Sequence, residues 1–281
     1  SGTQKFSEIL RQGKLVNVGP AQMTLGGAVS NTGLALQKLG ADVVLTAKIG
    51  TDLFGDIMMK KLEEYGCPMH LIRDEEGATS YTIVLAPKGS DRAFLHDPGS
   101  NHTFCADALD WEEVKKVDYF HFGYPTLMRR FYENDGAGLV KLYKAVKSAG
   151  LTSSLDLAAV DPESESGQCD WESILKQVLP YVDFFVPSIE ELAYMVDREK
   201  YQEWQERAEG EDIVSILSLS KDVRPLAEKV LSYGCGAVLL KCGAAGMYLK
   251  TSGKERMRNV DADLEGWENT ELFEDSFVPE R

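Results

Sequence analysis

Hydrophobic and polar residues repeat along the chain with a helical period in some stretches and a strand period in others. The first 66 residues predict a helix over 28–39, a strand over 42–50 and a helix over 52–65. Val29, Leu36 and Leu39 form the apolar face of the first predicted helix, which Gly40 ends. Alternation of helices and strands predicts a parallel sheet.

Residues 68–104 have a different pattern, with no segment of helical length. Two short strands are predicted over 79–86 and 92–97, on either side of the Pro/Gly turn at 87–91. This β excursion of about 68–104 suits a lid over a binding site. An edge meander without a function is the alternative, and the pattern leaves both open.

The helix–strand alternation resumes at residue 117 and continues to residue 251. Strands are predicted over 117–123, 151–157, 183–187, 236–243 and 246–251, and helices over 126–148, 170–182, 188–196 and much of 198–233. The last 28 residues, from Lys254, are acidic with little periodicity. One α/β domain over 1–281, carrying the β excursion, is the simplest organisation.

Composition narrows the classes of partner. The net charge of −15 and pI of about 4.8 argue against binding to nucleic acid or anionic lipid, although a local basic pocket can still hold a small anion. No apolar run reaches about 18 residues, so no membrane span is expected. The five cysteines form no Cys-x-x-Cys pair and the four histidines lack metal spacing. We therefore expect a cytoplasmic protein with reduced thiols.

Three common signatures are missing from the sequence. Without Gly-x4-Gly-Lys-Ser/Thr there is no P-loop, and without Gly-x-Gly-x-x-Gly a dinucleotide-binding Rossmann unit is not expected. The lack of Gly-x-Ser-x-Gly counts against an α/β-hydrolase.

A glycine pair at a predicted helix start is the first candidate binding element. Gly26 and Gly27 allow a ligand to approach the backbone, and free helix amides follow them. Asn31 adds an amide that can donate to and accept from a polyol hydroxyl. The alternative is a tight turn with Asn31 on its exposed face.

The stretch from 26 to 56 closely resembles the N-terminal signature of the ribokinase-like (PfkB) carbohydrate kinases. The matching positions are Gly26, Gly27, Asn31, Leu39, Gly40, Ile49, Gly50, Asp52 and Gly55. In that family the glycine pair and the Asn hold sugar hydroxyls. The chain departs from the pattern at Ala28, where the family often has a Lys that contacts the substrate.

Later segments resemble the same family in the same order. Pro98–Asn101 is similar to the turn that ends the family's lid region, and Asn101 is implied in substrate binding. Asp156 lies at the C-terminal end of a predicted strand at which the family often contacts its ligand, and open α/β sheets bind ligands at such strand ends.

The nucleotide side of the family is also represented. Ser188 and Glu191 resemble its Pro-Asn-x-x-Glu motif, which implies that Glu191 helps to hold Mg, partly through water. The same two residues form a complete capping-box sequence, and both roles can hold. Lys241, Gly243 and Gly246 resemble the strand and loop that contact ATP.

The resemblance implies a ribokinase-like α/β fold, with a mainly parallel central sheet flanked by helices and a small antiparallel β lid. It also implies ATP and Mg as cofactors, a sugar or sugar acid as substrate, and a homodimer formed through the lid. The family's Gly-Ala-Gly-Asp motif, which supplies the catalytic Asp, and its first strand are not recognisable. We expect that Asp outside the given sequence. A binding or regulatory relative without catalysis is the alternative.

Overall fold

A computed structural model describes residues 12–87, 92–260 and 264–277. Its contacts divide the chain into two compact units, with the division between His102 and Thr103. The organisation as one domain therefore stays a prediction.

The described residues of the first unit, 12–87 and 92–102, form two small sheets and two α-helices. Its elements are α1 (Leu34–Lys38), β1 (Leu45–Gly50), α2 (Leu53–Glu63), β2 (Met69–Asp74), β3 (Tyr81–Leu85) and β4 (Ala93–Asp97). Strands β1 and β2 pair in parallel from Leu45↔Met69 onward, and β3 and β4 pair antiparallel. Leu34, Leu45, Leu62 and Cys67 form a buried cluster that joins both helices to the β1–β2 pair.

The apolar face predicted for the first helix is correct only at Val29, which packs against this cluster; it is wrong at Leu36 and Leu39. Leu34 is buried, whereas Leu36 and Leu39 are 41% and 84% exposed. The helix begins as a π-helical turn over Val29–Gly33 before continuing as α1. A wider turn shifts the positions that follow around the helix axis, so a regular 3.6-residue period assigned the wrong residues to the core.

The predicted small antiparallel sheet is confirmed as the β3–β4 hairpin, which is shorter than the 68–104 excursion and is named here the lid. Its function as a lid stays a prediction. Met69–Asp74 does not belong to it, because this strand pairs with β1 instead. Residues 88–91 of the predicted turn lie outside the described residues. The residue before β3 is attached to the end of β4, because Ser80 Oγ donates a hydrogen bond to the Asp97 carbonyl oxygen at 3.0 Å.

In the part of the second unit that the structure describes, six strands form one sheet, with helices along the chain between strands. Its strands are β5 (Tyr119–Gly123), β6 (Thr152–Asp156), β7 (Phe184–Phe185), β8 (Ala237–Cys242), β9 (Gly246–Thr251) and β10 (Glu271–Asp275). Its α-helices are α3 (Trp111–Val114), α4 (Arg129–Ser148), α5 (Trp171–Val178), α6 (Ile189–Val196), α7 (Arg198–Ala208), α8 (Arg224–Leu231) and α9 (Lys254–Met257).

The sheet order is β10-β9-β8-β7-β6-β5. Strands β5 to β8 are parallel, so their carboxyl ends meet at one edge, while β9 and β10 are antiparallel additions. Within residues 12–87, 92–260 and 264–277, no helix combines the length and hydropathy that crossing a bilayer requires.

The long helix predicted over 126–148 is interrupted. Helix α4 has non-helical backbone at Glu133–Gly136, and Asn134, Asp135 and Gly136 are left-handed, with φ of 51°, 55° and 76°. A Cβ on Gly136 would lie 2.5 Å from Ile174, and one on Gly138 would lie 1.9 Å from the Arg130 carbonyl oxygen. Gly136 therefore allows the left-handed backbone at the break, and the lack of a side chain at both glycines allows the close packing around it.

Strand β10 lies in the tail for which no strand was predicted. Its residues are exposed, so no buried face produces an alternating pattern. The strand is held by backbone pairing with β9 and by Glu271, which forms ion pairs with Arg224 and Lys250.

A buried carboxylate holds the irregular segment after α7. Asp222 is 2% exposed and accepts hydrogen bonds from the Trp204 indole, the Arg207 guanidinium and the Ser218 N–H at 2.8–3.3 Å. Burial alone would raise its pKa, but these donors and Lys200 outweigh burial and lower the pKa to about 2.

Candidate functional site

Polar side chains gather at the carboxyl edge of the parallel strands in the second unit. Asp156 ends β6, and Lys241 lies on β8, next to Ser188 through an isolated parallel bridge. Lys241 Nζ donates to Asp156 Oδ1 at 2.7 Å, and the Leu157 N–H donates to the same oxygen at 2.8 Å. Folding thus brings together two predicted site residues that are 85 positions apart.

Glu191 joins this edge from the first turn of α6. The Ser188 hydroxyl accepts from the Glu191 N–H at 3.2 Å, and the Glu191 carboxylate accepts from the Ser188 N–H at 3.1 Å. The predicted capping box is therefore present. Burial raises the pKa of Glu191; the Ser188 hydrogen bonds and Lys241 oppose that rise, and Asp156 adds to it. Asp156, Ser188, Glu191 and Lys241 are named here the edge cluster.

His121 is a residue that the sequence did not indicate. It lies on β5 opposite Ser154 of β6, and its Nδ1 is 2.8 Å from the Ser154 hydroxyl. Its Nε2 is buried without a hydrogen-bond partner among the described residues. Burial lowers the pKa of His121, Asp156 opposes this and Lys241 lowers the pKa further. Only the strand alternation, which puts His121 and Gly123 on one face beside Ser154 and Asp156, could have indicated it.

The two glycines of the predicted nucleotide loop have different structural reasons. Gly243 is left-handed, with φ of 51°, and a Cβ there would meet Val214 only at 3.7 Å. Gly246 has φ of 130°, and a Cβ would lie 2.0 Å from the Glu274 carbonyl oxygen of β10. Packing against β10 thus requires glycine at 246. Their contact with a nucleotide stays a prediction.

Four of the five predicted substrate-binding residues, Gly26, Gly27, Asn31 and Asn101, lie in the first unit, and Asp156 lies in the second. Gly27 is left-handed, with φ of 76°, whereas Gly26 has ordinary backbone and no atom within 4 Å of a built Cβ. Asn31 is in the π-helical turn that follows and lines an open pocket of about 390 Å³. The fold does not require glycine at 26, which leaves ligand approach as a reason for it.

Asn101 lies in a tight turn that is attached to the segment before the lid. The neighbouring Ser100 donates to the Ala78 carbonyl through both its N–H and its hydroxyl, each at 2.7 Å. A Cβ on Gly99 would lie 2.3 Å from the same carbonyl oxygen. The turn is therefore held in place next to β3, and the role of Asn101 in binding stays a prediction.

The family model of the pfkB family carbohydrate kinases matches residues 3–262 of the chain. The chain belongs to this family. Among curated relatives, the pfkB chain is 24% identical over 222 residues to an uncharacterized sugar kinase of Archaeoglobus fulgidus, which covers 79% of the chain and 75% of that relative. It is 26% identical over 176 residues to fructokinase-2 of Oryza sativa subsp. japonica, covering 60% of the chain and 50% of that relative.

Solved structures give the same fold. Ribokinase from Giardia lamblia superposes with a TM-score of 0.66 at 17% identity, covering 96% of this chain and 70% of that one. Fructokinase with bound ATP from Xylella fastidiosa superposes with a TM-score of 0.61 at 20% identity, covering 80% of this chain and 63% of that one. The pfkB chain therefore has the ribokinase-like α/β fold.

Part of the pfkB signature holds the protein together. Asp52 caps α2 by accepting from the Gly55 N–H at 2.8 Å, and its carboxylate also accepts from the Thr79 N–H and hydroxyl at 2.8 and 2.7 Å. Burial alone would raise the pKa of Asp52, but these bonds lower it. A Cβ on Gly55 would lie 2.3 Å from the Gly50 carbonyl oxygen.

The carboxylates of the pfkB edge cluster fit Mg only together with phosphate. Among the described residues, no group of three or more His, Cys, Asp or Glu side chains could hold a metal ion. Mg usually keeps several waters and binds one or two carboxylates plus substrate phosphates. Glu191 and Asp156 provide carboxylates of that kind, so Mg would arrive with a nucleotide.

Proposed function

We propose that this chain acts as an ATP-dependent kinase that phosphorylates a hydroxyl group of a sugar or related polyol. The observation that carries the proposal is the edge cluster, in which the Lys241 ammonium and the Asp156 and Glu191 carboxylates meet at the carboxyl ends of parallel strands. Open α/β sheets bind ligands at this edge. The bound ATP in a structural neighbour agrees with a nucleotide at this fold.

Each group of the edge cluster has a role that its chemistry suits. Transfer of the γ-phosphoryl group forms a phosphorus–oxygen bond to the acceptor, breaks the bond to ADP and requires a base for the hydroxyl proton. Lys241 would neutralise phosphate charge, together with the loop at Gly243 and Gly246. Glu191 would hold Mg through water, and Asp156 would orient the acceptor. The base would be the carboxylate of an Asp.

The sugar-side residues of the proposal are Gly26, Gly27, Asn31 and Asn101, together with the lid. Backbone amides and a side-chain amide at this position suit hydroxyl groups, which both donate and accept hydrogen bonds. Replacing Gly26 by Ala tests ligand approach directly, because the added methyl group meets no protein atom within 4 Å. We expect Gly26→Ala to retain its stability and to lose sugar affinity.

The lid also supports a homodimer. Ile83 and Leu95 pair on one face of the hairpin and Val84 and Phe94 on the other, and all four are 48–58% exposed. A hairpin with apolar pairs on both faces has one surface for a ligand and a second for a partner copy. Light scattering after size exclusion tests this: a dimer is expected, with Val84→Ser and Phe94→Ser shifting it to monomer. A monomeric wild type would overturn it.

The kinase proposal is tested in two steps. Titration with a fluorescent ATP analogue, with and without MgCl2, measures nucleotide binding, and ADP release with a panel of sugars, sugar acids and nucleosides measures turnover. Lys241→Met is expected to weaken nucleotide binding at least fivefold, whereas Lys254→Met, an exposed lysine outside the cluster, serves as the matched control. Absence of Mg-dependent nucleotide binding by the wild type would refute the proposal.

A further inference from the structure

The pocket that contains Asn31 is lined by two facing rows of side chains in the first unit. Asn31, Ala35 and Lys38 are spaced by four and three positions on the first helix, and Glu64 and Tyr65 lie three and four positions after Lys61, on α2 and the residues after it. Such spacing puts each set on one helix face. The pocket measures about 390 Å³, which is within the range of small-molecule sites.

The charge of this pocket is positive in a strongly acidic protein. Lys38 and Lys61 form no ion pair among the described residues, although the same unit pairs Lys48 with Asp74 and Arg73 with Asp56. Lys38 Nζ lies 6.0 Å from the centre of the Tyr65 ring, so its side chain reaches across towards the second row.

The remaining polar groups make this more than a basic surface. Glu64 is the one carboxylate lining the pocket, which leaves a net charge of about one positive unit against −15 for the whole chain. Thr24, Ser30 and Asn31 supply hydroxyl and amide groups next to the lysines. A ligand that binds both the lysines and the hydroxyl and amide groups has one anionic group and several hydroxyl groups.

We infer that the acceptor is an acidic sugar, whose carboxylate or phosphate is bound by Lys38 and Lys61 while its hydroxyl groups face Asn31. This inference rests on the proposed function for the identity of the acceptor, but binding itself needs neither ATP nor turnover. Neutral sugars would lack a partner for the two ammonium groups. The interaction would weaken with added salt, because the lysines are at the protein surface.

Calorimetric titration without nucleotide tests the inference. The ligands are D-gluconate, D-glucose 6-phosphate and, as the uncharged control, D-glucitol, each at low and high NaCl. We expect at least one of the two anions to bind more tightly than glucitol and to lose affinity with salt. The comparison between gluconate and glucose 6-phosphate assigns the anion to a carboxylate or a phosphate.

Four variants and one control separate the lysines from general charge effects. Lys38→Gln and Lys61→Gln should each weaken binding of the anion about two- to fivefold, as for partly exposed ion pairs, and together about tenfold. Glu64→Gln should tighten it. Lys60→Gln removes an exposed lysine adjacent in sequence but outside the pocket and should have no effect. Urea unfolding checks that all variants are folded.

The outcomes distinguish this inference from the kinase proposal. Equal binding of anions and glucitol, no binding of either anion, or an equal loss in Lys60→Gln and Lys61→Gln would overturn the inference. Turnover of neutral sugars alone would also overturn it and leave the kinase proposal standing. Lysine-dependent binding of an anion without any phosphorylation would support the pocket and refute the kinase.

Discussion

The ion pair between Asp156 and Lys241 gives a stability prediction that can be worked from the structure. At the observed 2.7 Å, two unit charges attract by about 6 kcal/mol at an effective dielectric constant of about 20, before desolvation is subtracted. The side chains are 9% and 36% exposed, so the pair lies between a buried and a surface ion pair. Measured couplings for exposed pairs are about 0.2–1 kcal/mol, and breaking a buried pair costs about 3–5 kcal/mol. We expect a coupling of about 2 kcal/mol.

A double-mutant cycle measures this coupling. Asp156→Asn, Lys241→Met and the double variant are unfolded in urea at pH 7, and the non-additive part of the free energy of unfolding is the coupling. Lys241→Met should be the more harmful single change, at about 3 kcal/mol, because it leaves a buried carboxylate with the Leu157 N–H as its remaining donor among the described residues.

The same cycle on an exposed pair is the internal control. Lys115 and Glu112 are 3.0 Å apart with side chains 53% and 83% exposed, and their coupling should be about 0.3 kcal/mol. If the Asp156–Lys241 coupling is as small as this, the pair does not contribute to the fold. The reasoning that the edge cluster is pre-arranged by a strong internal contact would then be wrong.

Three further predictions concern the fold and its response to pH. Gly55→Ala should lower the free energy of unfolding by about 3 kcal/mol because of its close backbone contact, whereas Gly26→Ala should change it by less than about 0.5 kcal/mol; equal effects in urea unfolding would contradict the packing argument. The lowered pKa of Asp222 contributes about 2 kcal/mol above pH 4 that is lost as the pH falls towards 2, so Asp222→Asn should destabilise by about 2 kcal/mol at pH 7 and by about half of that at pH 3. A pH-independent difference would show that ionisation is not the cause. The raised pKa of Glu191 stabilises the folded state below about pH 4.5, and this stability is lost as the pH rises through the pKa of the folded state. Glu191→Gln should therefore flatten the dependence of the free energy of unfolding on pH between 4.5 and 7. An unchanged slope would refute this.

Local chemistry could be predicted from the sequence, and contacts between distant residues could not. The spacing of Ser188 and Glu191 specified a capping box, because both partners lie within one helical turn. The pattern also gave the strand that ends at Asp156 and the one that contains Lys241. Nothing in the pattern indicated that these two side chains meet across β7, since that depends on strand order.

Each feature that the sequence did not predict was missed for a physical reason. β10 is exposed and is held by backbone pairing and ion pairs, so it has no buried face to produce alternation. The face of the first helix was assigned with a regular period, which the π-helical turn at Val29–Gly33 breaks. The positively charged pocket was not indicated either, because Lys38 and Lys61 come from separate helices.

The contacts of Asp52 bear on how relatives of this protein are recognised. Its carboxylate joins the start of α2 to Thr79, two residues before the lid hairpin begins, and the nearby glycines are required by backbone contact. Selection for a folded chain alone would preserve these residues, whether or not phosphoryl transfer survives. Their presence in a genome sequence therefore identifies the architecture, and a catalytic assignment has to be made from other residues, such as those of the edge cluster.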